Sequence, residues 1–376
     1  MATGGATGIT WRGRAARAWV PNPLTTLDLE LSVEVVRRTE QAAAAVRLAN
    51  AQLPVAWEPL ARLLLRAEGV ASSDIEGVRA PAGLVALAEA EPDAVGGTAA
   101  WIADNLATLR WAIADDVRRP LTLRTLHRWH KQLMRHGTLP GEMVGRFRTA
   151  QGWIGGSSPL DAAFVPPPPD LVGDLMDDLV AFANRDDLDP VTQAAVAHAQ
   201  FETIHPYGDG NGRIGRVLIG WILGRRERVV VPPPVSVLIA RDPGGYLSGL
   251  HAFREGPLDA WVGWFAGIVL RAANGEAAFV TRIQMLLADW RDRLRDLRSD
   301  AAARRVIEVL PELPVLSAAL VAGCVGVSER AARGALETLS DRGIIEPIEV
   351  VSRRAGRPRR LWIAGALTDA VGSSLP

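Results

Sequence analysis

The chain has 376 residues, of which 48% are hydrophobic and 22% charged, and its formal net charge is zero. This length predicts two or three domains, and the charge balance excludes a molecule that binds polyanions over its whole surface. The single cysteine, Cys324, excludes an intrachain disulfide and a cysteine-rich zinc site. Residues 1–20 lack the apolar stretch of a secretory signal, and no apolar run reaches the ~20 residues of a membrane span. We therefore expect a soluble, cytoplasmic protein with no membrane partner.

Hydrophobic residues recur mostly at helical spacing, so the sequence predicts a mainly α-helical chain. Residues 1–28, which contain Gly, Pro and Trp, are expected to form an irregular arm. A Gly-Gly-Ser-Ser turn between extended-type residues predicts a short β-hairpin over about 148–165. The expected helices cover about 28–53, 59–68, 97–115, 122–135, 169–184, 190–204, 213–226, 260–272 and 277–298.

Residues 205–216 form the segment with the clearest chemical pattern, His-Pro-Tyr-Gly-Asp-Gly-Asn-Gly-Arg-Ile-Gly-Arg, and an apolar helix follows from it. Its first three glycines let several backbone N–H groups turn toward one point at the start of that helix, the usual geometry of an anion site. They are Gly208, Gly210 and Gly212. Arg213 and Arg216, three residues apart, project from one face of the first helical turn and suit phosphate oxygens.

Two further side chains of this segment suggest chemistry at a phosphate. Asp209 lies in the positive environment, where a lone carboxylate suits a Mg²⁺ ion that bridges phosphates. His205 ends the preceding helix and is the obvious proton acceptor. The chain has no G-x-x-x-x-G-K-[ST] sequence, which excludes P-loop chemistry. The segment therefore predicts phosphoryl or nucleotidyl transfer.

The same residues closely resemble the signature of the Fic-domain family, H-x-F-x-(D/E)-G-N-G-R-x-x-R, with Tyr207 in place of the usual Phe. The tyrosine ring should still anchor the loop in the core, and its hydroxyl needs a partner. The resemblance, over about residues 20–270, implies a Fic helical core with a small β-hairpin flap that positions target segments by strand addition. It implies a protein adenylyltransferase, which moves AMP from ATP to a Ser, Thr or Tyr hydroxyl of a target protein or of the chain itself.

The resemblance also implies a role for each matched residue. His205 would deprotonate the target hydroxyl, and Asp209 would hold Mg²⁺ against the α- and β-phosphates. Asn211 and the N–H groups of the loop glycines would hold the α-phosphate, while Arg213 supports the β-phosphate and the leaving pyrophosphate. Tyr246 lies where the family often has a tyrosine near the adenine, and an ordinary buried tyrosine is the alternative.

Ser72-x-x-x-Glu76-Gly77 resembles the inhibitory motif, (S/T)-x-x-x-E-(G/N), that one Fic subclass has N-terminal to its core. Ser72 and Glu76 are four residues apart and would share a helix face, a spacing that by itself is typical of a solvated surface. The resemblance implies that Glu76 pairs with Arg216. The pair would remove the partner of the γ-phosphate and place a negative charge where the triphosphate of ATP must lie.

The C-terminal residues have the order of a winged helix-turn-helix domain. Its helices are expected at 301–310, 316–324 and 329–342, with wing strands at 344–351 and 359–363. The wing has Arg353, Arg354, Arg357, Arg359 and Arg360, and the third helix has Arg330 and Arg333. These arginines suit contacts with DNA phosphates, although winged helices also serve in protein interaction or dimerisation.

The expected domains are an N-terminal helical region with the inhibitory helix (1–95), a Fic catalytic core (96–275), a linker helix (276–300) and a winged-helix domain (301–376). The expected partners are ATP, a target protein, DNA through the winged helix, and a second copy of the chain in a homodimer. Three alternatives to adenylyl transfer stay open. The chain could be a DNA-binding regulator whose nucleotide site only senses, or it could remove AMP with a water oriented by Glu76. It could also transfer another nucleotide such as UMP, whereas its signature lacks the substitutions of Fic proteins that transfer phosphate or phosphocholine.

Overall fold

The structure is a computed structural model, and it describes residues 3–53, 58–92, 95–351 and 358–372. Helices dominate it, as the sequence predicts. The N-terminal elements are β1 (Gly4–Trp11), β2 (Arg14–Pro21), α1 (Val33–Ala51), α2 (Glu58–Ile75) and α3 (Ala82–Ala90). The central elements are α4 (Thr98–Arg110), a π-helical turn (Trp111–Asp116), α5 (Leu123–Leu133), α6 (Val172–Ala183), α7 (Pro190–Ile204), α8 (Asn211–Glu227), α9 (Val235–Arg241), α10 (Pro243–Glu255) and α11 (Leu258–Arg293).

The antiparallel pair α7 and α8 forms the centre of the molecule. All residues of α7 after Pro190 are buried, and so are the residues of α8 from Asn211 to Gly224. Helices that are apolar on every side are expected only where other elements surround them. The loop that joins these two helices is residues 205–210, so the predicted catalytic segment is held at one end of the most enclosed part of the fold.

The N-terminal arm is not irregular, and that expectation is wrong. Strands β1 and β2 pair antiparallel, from Gly4 opposite Pro21 to Trp11 opposite Arg14. The turn between them has positive φ at both central residues, 48° at Arg12 and 79° at Gly13. This is the backbone of a two-residue hairpin turn, for which Asn-Gly and Asp-Gly are the usual sequences. The pair Arg-Gly gives a weaker sequence pattern, and the Gly- and Ala-rich strands conceal the alternation.

Two further helix boundaries differ from those predicted. The helices expected at 260–272 and 277–298 are one helix, α11, so the expected domain boundary after residue 275 falls inside it. Gly275 lies inside α11 and is buried, so packing of the helix overrides a glycine propensity cost of about 1 kcal/mol. Likewise, α2 continues past residue 68 to Ile75 and includes Ser72 in its last turns.

The C-terminal elements follow the predicted order. They are α12 (Ala302–Val309), β3 (Val315–Leu316), α13 (Ala318–Val325), α14 (Glu329–Asp341), β4 (Glu346–Val351), β5 (Pro358–Ile363) and α15 (Gly365–Gly372), with sheet order β3-β5-β4. Ser317 and Ser328 cap α13 and α14. The assignment as a winged helix stays a prediction.

The wing arginines expected to contact DNA divide into two groups, and Arg330 and Arg333 of α14 are exposed. Arg353, Arg354 and Arg357 lie outside the described residues. Arg359 pairs with Glu91, at 2.8 Å between Nη1 and Oε2, and Arg360 lies over the ring of Trp362. The role of these arginines in DNA binding is therefore still a prediction.

The C-terminal segment is fixed to the helix that ends in the inhibitory motif. Arg66 of α2 is buried and donates to the carbonyl oxygens of Pro311 at 3.1 Å and of Glu312 at 2.7 Å. The same guanidinium pairs with Glu89 of α3. One buried cation thus joins α2, α3 and the segment that follows α12. Across the described parts of the chain, no helix has the length and apolar character needed to cross a membrane.

Candidate active site

The loop between α7 and α8 is built from two left-handed backbone positions. His205 ends α7 with φ 50° and ψ 61°, and Gly210 precedes α8 with φ 77°. A left-handed residue other than glycine is uncommon and must be stabilised by its surroundings. Here the amide of Asn211 accepts from the N–H of Tyr207 at 2.8 Å and donates to the carbonyl of Tyr207 at 2.9 Å. The side chain of Asn211 therefore closes the loop, and its predicted phosphate contact would have to come from its backbone N–H.

Tyr207 anchors this loop in the core, as expected. Its ring is buried and stacks on His130, with ring centroids 4.0 Å apart and planes 7° from parallel. Its hydroxyl oxygen lies 3.2 Å from Nδ1 of His127, which supplies the partner that the change from Phe requires. His130 in turn accepts from the N–H of Gly145 through Nδ1, so its Nε2 carries the hydrogen and donates to the carbonyl of Asp209. These two histidines therefore hold the loop in place from α5.

One edge of the His205 imidazole ring faces the protein interior. Its Nδ1 is buried, whereas the side chain as a whole is 25% exposed, so the accessible edge is the one with Nε2. Burial lowers the pKa of His205 to about 4, against the opposing effect of the Glu202 backbone carbonyl. The imidazole is therefore neutral at pH 7 and can accept a proton.

The two signature arginines lie buried in the first turns of α8. Arg216 donates from Nε to the hydroxyl of Ser72 at 2.9 Å, and from Nη2 to the Ser72 carbonyl at 2.7 Å and to Oε1 of Glu76 at 2.8 Å. The structure thus brings together the three residues that the inhibitory motif predicts. Burial alone would disfavour both charges, but their attraction outweighs it, raising the pKa of Arg216 and lowering the pKa of Glu76.

The carboxylate of Glu76 also occupies the space in front of α8. A Cβ built on Gly212 would lie 2.0 Å from Oε1 of Glu76 and 3.0 Å from Nη1 of Arg216. Glycine is therefore required for the carboxylate to approach the backbone at the start of the helix. What space remains is a cavity of about 200 Å³, lined by Glu76, Trp101, Met134, Asp209 and Arg213 among others. Sites for small molecules usually measure ~300–1,000 Å³. This cavity, with Glu76 in its wall, is smaller than that range.

Asp209 lies at the mouth of this cavity and is 54% exposed. Its Oδ1 accepts from the N–H of Gly210 at 2.6 Å and is 3.6 Å from Nη2 of Arg213. No group of three or more His, Cys, Asp or Glu side chains among the described residues could hold a metal ion. A single accessible carboxylate does fit Mg²⁺, which keeps several waters and shares phosphate oxygens with one or two carboxylates.

Tyr246 does not line this cavity. Its hydroxyl lies 2.9 Å from Nε2 of the buried His198, and its ring packs near Trp261. The ring is therefore buried, and the predicted contact of Tyr246 with adenine stays a prediction. A larger cleft, of about 840 Å³, lies at the far end of α8. Two arginines of its lining, Arg225 and Arg226, donate to backbone carbonyls.

Two residues of the site have roles that the sequence analysis missed. Arg148 is buried and donates to four backbone carbonyls, those of Ala150, Pro167, Ile204 and His205. It therefore joins the base of the flap to the catalytic loop, and backbone acceptors leave no trace in a sequence. Glu202 is also buried, with Oε2 4.0 Å from Nδ1 of His205. Burial raises the pKa of Glu202 to about 8. In the sequence, the one indication that Glu202 lies near the site is its position three residues before His205.

The flap is less regular than the predicted hairpin. Ile154 and Phe164 form a single antiparallel bridge, with N–O distances of 2.8 and 3.1 Å. At the tip, the carboxylate of Asp161 accepts from the backbone and hydroxyl groups of Ser157 and Ser158. The chain thus reverses direction where predicted, but through turns instead of two extended strands.

Comparison with known proteins agrees with this geometry. Residues 120–223 match the profile of the Fic/DOC family. The chain is 33% identical over 126 residues to protein adenylyltransferase fic-1 of Caenorhabditis elegans, which covers 33% of this chain and 22% of the relative. It is 31% identical over 157 residues to protein adenylyltransferase Fic of Culex quinquefasciatus, covering 41% and 29%. Residues 120–223 are thus similar to a Fic domain, and the chain spans less than a third of the length of these curated relatives.

Solved structures show the same fold. A Fic family protein from Desulfovibrio desulfuricans G20 superposes with a TM-score of 0.55 at 21% identity, over 89% of this chain and 97% of that one. A Fic domain containing signaling protein from Bacteroides thetaiotaomicron gives a TM-score of 0.53 at 20% identity, over 65% and 97%. The mainly helical fold is therefore that of Fic proteins.

Proposed function

We propose that the chain transfers AMP from ATP to a hydroxyl group of a target protein. The observation that carries this proposal is that His205 ends α7 with one accessible edge, at the loop that leads into the first turns of α8 and their two buried arginines. The relatives named protein adenylyltransferase support the same class of reaction. Because ATP is abundant in the cytoplasm, we expect the reaction to occur there.

In the proposed reaction, the hydroxyl oxygen of the target forms a bond to the α-phosphorus of ATP. Nε2 of His205 accepts the hydroxyl proton, and the bond from the α-phosphorus to the bridging oxygen of the β-phosphate breaks, which releases pyrophosphate. Arg213 and the first N–H groups of α8 offset the charge of the phosphates. Asp209 would hold Mg²⁺, which would neutralise further phosphate charge when bound. Catalysis would then be mostly positioning and electrostatics.

We also propose that Glu76 inhibits this reaction. Its carboxylate pairs with Arg216 and fills the space against Gly212 where a phosphate would lie. A nucleotide can take this position only if the carboxylate moves away. The 37% exposure of Glu76 leaves room for that movement, whereas Arg216 is fully enclosed.

The test is AMP incorporation from labelled ATP and Mg²⁺ into a host lysate and into the chain itself, with the adduct identified by mass spectrometry. We expect Glu76→Gly to raise incorporation at least about ten-fold. The variant removes the charge-assisted contact between Glu76 and Arg216 that ATP would have to displace, and 1.4 kcal/mol or more for this contact corresponds to a factor of at least ten. Glu30→Gly, which removes an exposed loop carboxylate, is the matched control and should change nothing.

Adding His205→Ala to Glu76→Gly should abolish incorporation, because general-base catalysis contributes about 10²–10⁴-fold. Unchanged incorporation in Glu76→Gly would show that Glu76 is not the brake. An adduct of another nucleotide would correct the substrate, and no adduct at all would favour a site that only senses nucleotide.

Removal of AMP is the second candidate, and the position of Glu76 favours it. A carboxylate beside the anion site could orient a water toward the phosphodiester. A chase of AMP-labelled target with wild-type protein should then release AMP, and Glu76→Gln should not. DNA binding through the C-terminal domain and homodimer formation remain predictions from the sequence.

A further inference from the structure

The cleft of about 840 Å³ lies at the end of α8 that is remote from the catalytic loop. Its walls come from the first half of α2, the π-helical turn after α4, the end of α8 and residues 228–231. The volume is within the ~300–1,000 Å³ that is usual for small-molecule sites. No residue of the catalytic loop lines this cleft, so the proposed adenylyl transfer gives it no role.

The floor of the cleft is aliphatic. Its lining includes Leu65, Ile113, Val117, Val229 and Val231. Val230, at the same cleft, is 36% exposed, so part of this apolar surface faces solvent. No aromatic ring is among the described residues that line the cleft. Since proteins commonly hold a nucleobase by stacking it on a ring, this floor suits a hydrocarbon chain better than a base.

The rim of the cleft is cationic. Asp186 is the one acidic residue among its described lining residues. The basic residues of the lining are Arg62, Arg110, Arg118, Arg225, Arg226 and Arg228. The chain as a whole balances 42 basic against 42 acidic residues, so the excess of positive charge is local. A concave surface with charges of one sign concentrates its field and attracts an ion of the opposite sign.

Two of these arginines are free to take a ligand. Arg62 is neutralised by Glu312 at 3.0 Å, and Arg110 is paired with a buried glutamate of α3. In contrast, the side chains of Arg118 and Arg228 are exposed and form no ion pair with any residue that the structure describes. Exposed guanidinium groups beside an apolar floor are the arrangement that an amphipathic anion requires.

The backbone at this cleft has two unusual features. Residues Trp111–Asp116 form the π-helical turn, and such turns are frequent at functional sites. Arg228 follows α8 with φ 54°, in the left-handed conformation that glycine usually adopts at the end of a helix. A residue with a Cβ is strained there, and strained residues cluster at functional sites. The fold alone thus favours glycine at residue 228, whereas a bound anion gives arginine a role.

We propose that this cleft is a second ligand site, which binds a small anion with an aliphatic body. The hydrocarbon chain would lie on the valines and on Ile113, and the anionic head group would accept from the guanidinium groups of Arg118 and Arg228. The inference does not depend on adenylyl transfer, because the site lies at the opposite end of α8 from His205.

The experiment is isothermal titration calorimetry of the full chain without ATP. Decanoate is the probe with both a chain and a negative charge. Decyltrimethylammonium has the same chain with a positive charge, and acetate has the charge without the chain. We expect decanoate to bind at least about ten-fold more tightly than either, since each of them lacks one of the two contacts. Equal binding of decanoate and decyltrimethylammonium, or no measurable binding of decanoate, overturns the proposal.

The variant Arg228→Gly separates binding from stability. It removes a guanidinium from the rim, and glycine adopts φ 54° without strain, so the melting temperature should not fall. Decanoate should nevertheless bind roughly three- to ten-fold more weakly. The matched control is Arg12→Gly, at an arginine with φ 48° in the N-terminal hairpin, and it should leave the affinity unchanged.

Arg118→Gln tests the second cation without a change of backbone. It should also weaken decanoate binding roughly three- to ten-fold, whereas Arg119→Gln, at an exposed neighbour outside the lining, should not. Unchanged affinity in both Arg228→Gly and Arg118→Gln would place the bound decanoate elsewhere and overturn the assignment. AMP is titrated in parallel, and tighter binding of AMP than of decanoate, lost in these two variants, would show that the cleft takes a nucleotide instead.

Discussion

The catalytic loop and the flap are joined by Arg148 but are built in opposite ways. In the loop, Tyr207 is enclosed by aromatic rings, and Arg216 is fully buried. The side-chain amide of Asn211 both accepts from and donates to the backbone of Tyr207. The flap has one antiparallel bridge, and its tryptophan and arginine neighbours are open to solvent. A reacting group must be held within ~0.5 Å of its productive position, whereas backbone pairing with an extended segment tolerates many sequences. The loop is thus fixed by many contacts and the flap by few.

Arg148 is the residue that joins the flap to the catalytic loop, so we expect its removal to have the largest effect on stability and activity. Arg148→Ala leaves four backbone carbonyls without their donor, and we expect the free energy of unfolding to fall by about 3 kcal/mol. Urea unfolding measures this loss. In the Glu76→Gly background, AMP incorporation should also fall, because His205 loses the contact that holds its carbonyl.

The neighbouring Arg146 is exposed, so Arg146→Ala is the matched control and should leave both measurements unchanged. If Arg148→Ala unfolds like the wild type and still incorporates AMP, the flap and the loop are independent, and the link we describe is wrong.

The sequence predicts the catalytic loop better than the contacts around it. The loop was predictable because its groups are contiguous, so spacing alone places glycines, arginines and a base around one helix start. The pair of Glu76 with Arg216 joins residues far apart in the chain, and only the family resemblance pointed to it. Arg148 binds backbone carbonyls, which have no sequence pattern. The hairpin was missed because Arg12-Gly13 is an unusual turn pair and small residues fill the strands.

Gly212 tests whether the start of α8 is the anion site. A Cβ at this position would lie 2.0 Å from Oε1 of Glu76, at the end of a flexible side chain that can move aside. In the Glu76→Gly background no carboxylate is left to displace, and the methyl group occupies the place of a phosphate. We expect Gly212→Ala there to raise KM for ATP about ten-fold, which corresponds to 1.4 kcal/mol of lost phosphate contact.

Gly173→Ala is the control for this variant, since a Cβ at Gly173 of α6 would meet nothing within 4 Å. It should leave KM for ATP unchanged. If Gly212→Ala also leaves KM for ATP unchanged, the phosphate does not bind at the first turn of α8. Glu76 would then have no steric means of inhibiting the reaction.

The smallest effect is expected at Tyr207, where the chain departs from the family signature. Tyr207→Phe keeps the ring against His130 and removes only the hydroxyl that lies 3.2 Å from Nδ1 of His127. The free energy of unfolding should change by about 1 kcal/mol or less, because one neutral hydrogen bond is lost and its partner is half-buried. AMP incorporation by Glu76→Gly should stay within about three-fold, since the loop geometry depends on the ring and on Asn211. A large loss of incorporation with unchanged stability would mean that the hydroxyl and His127 position the loop for the reaction, and that the rigid region extends beyond the family signature to α5.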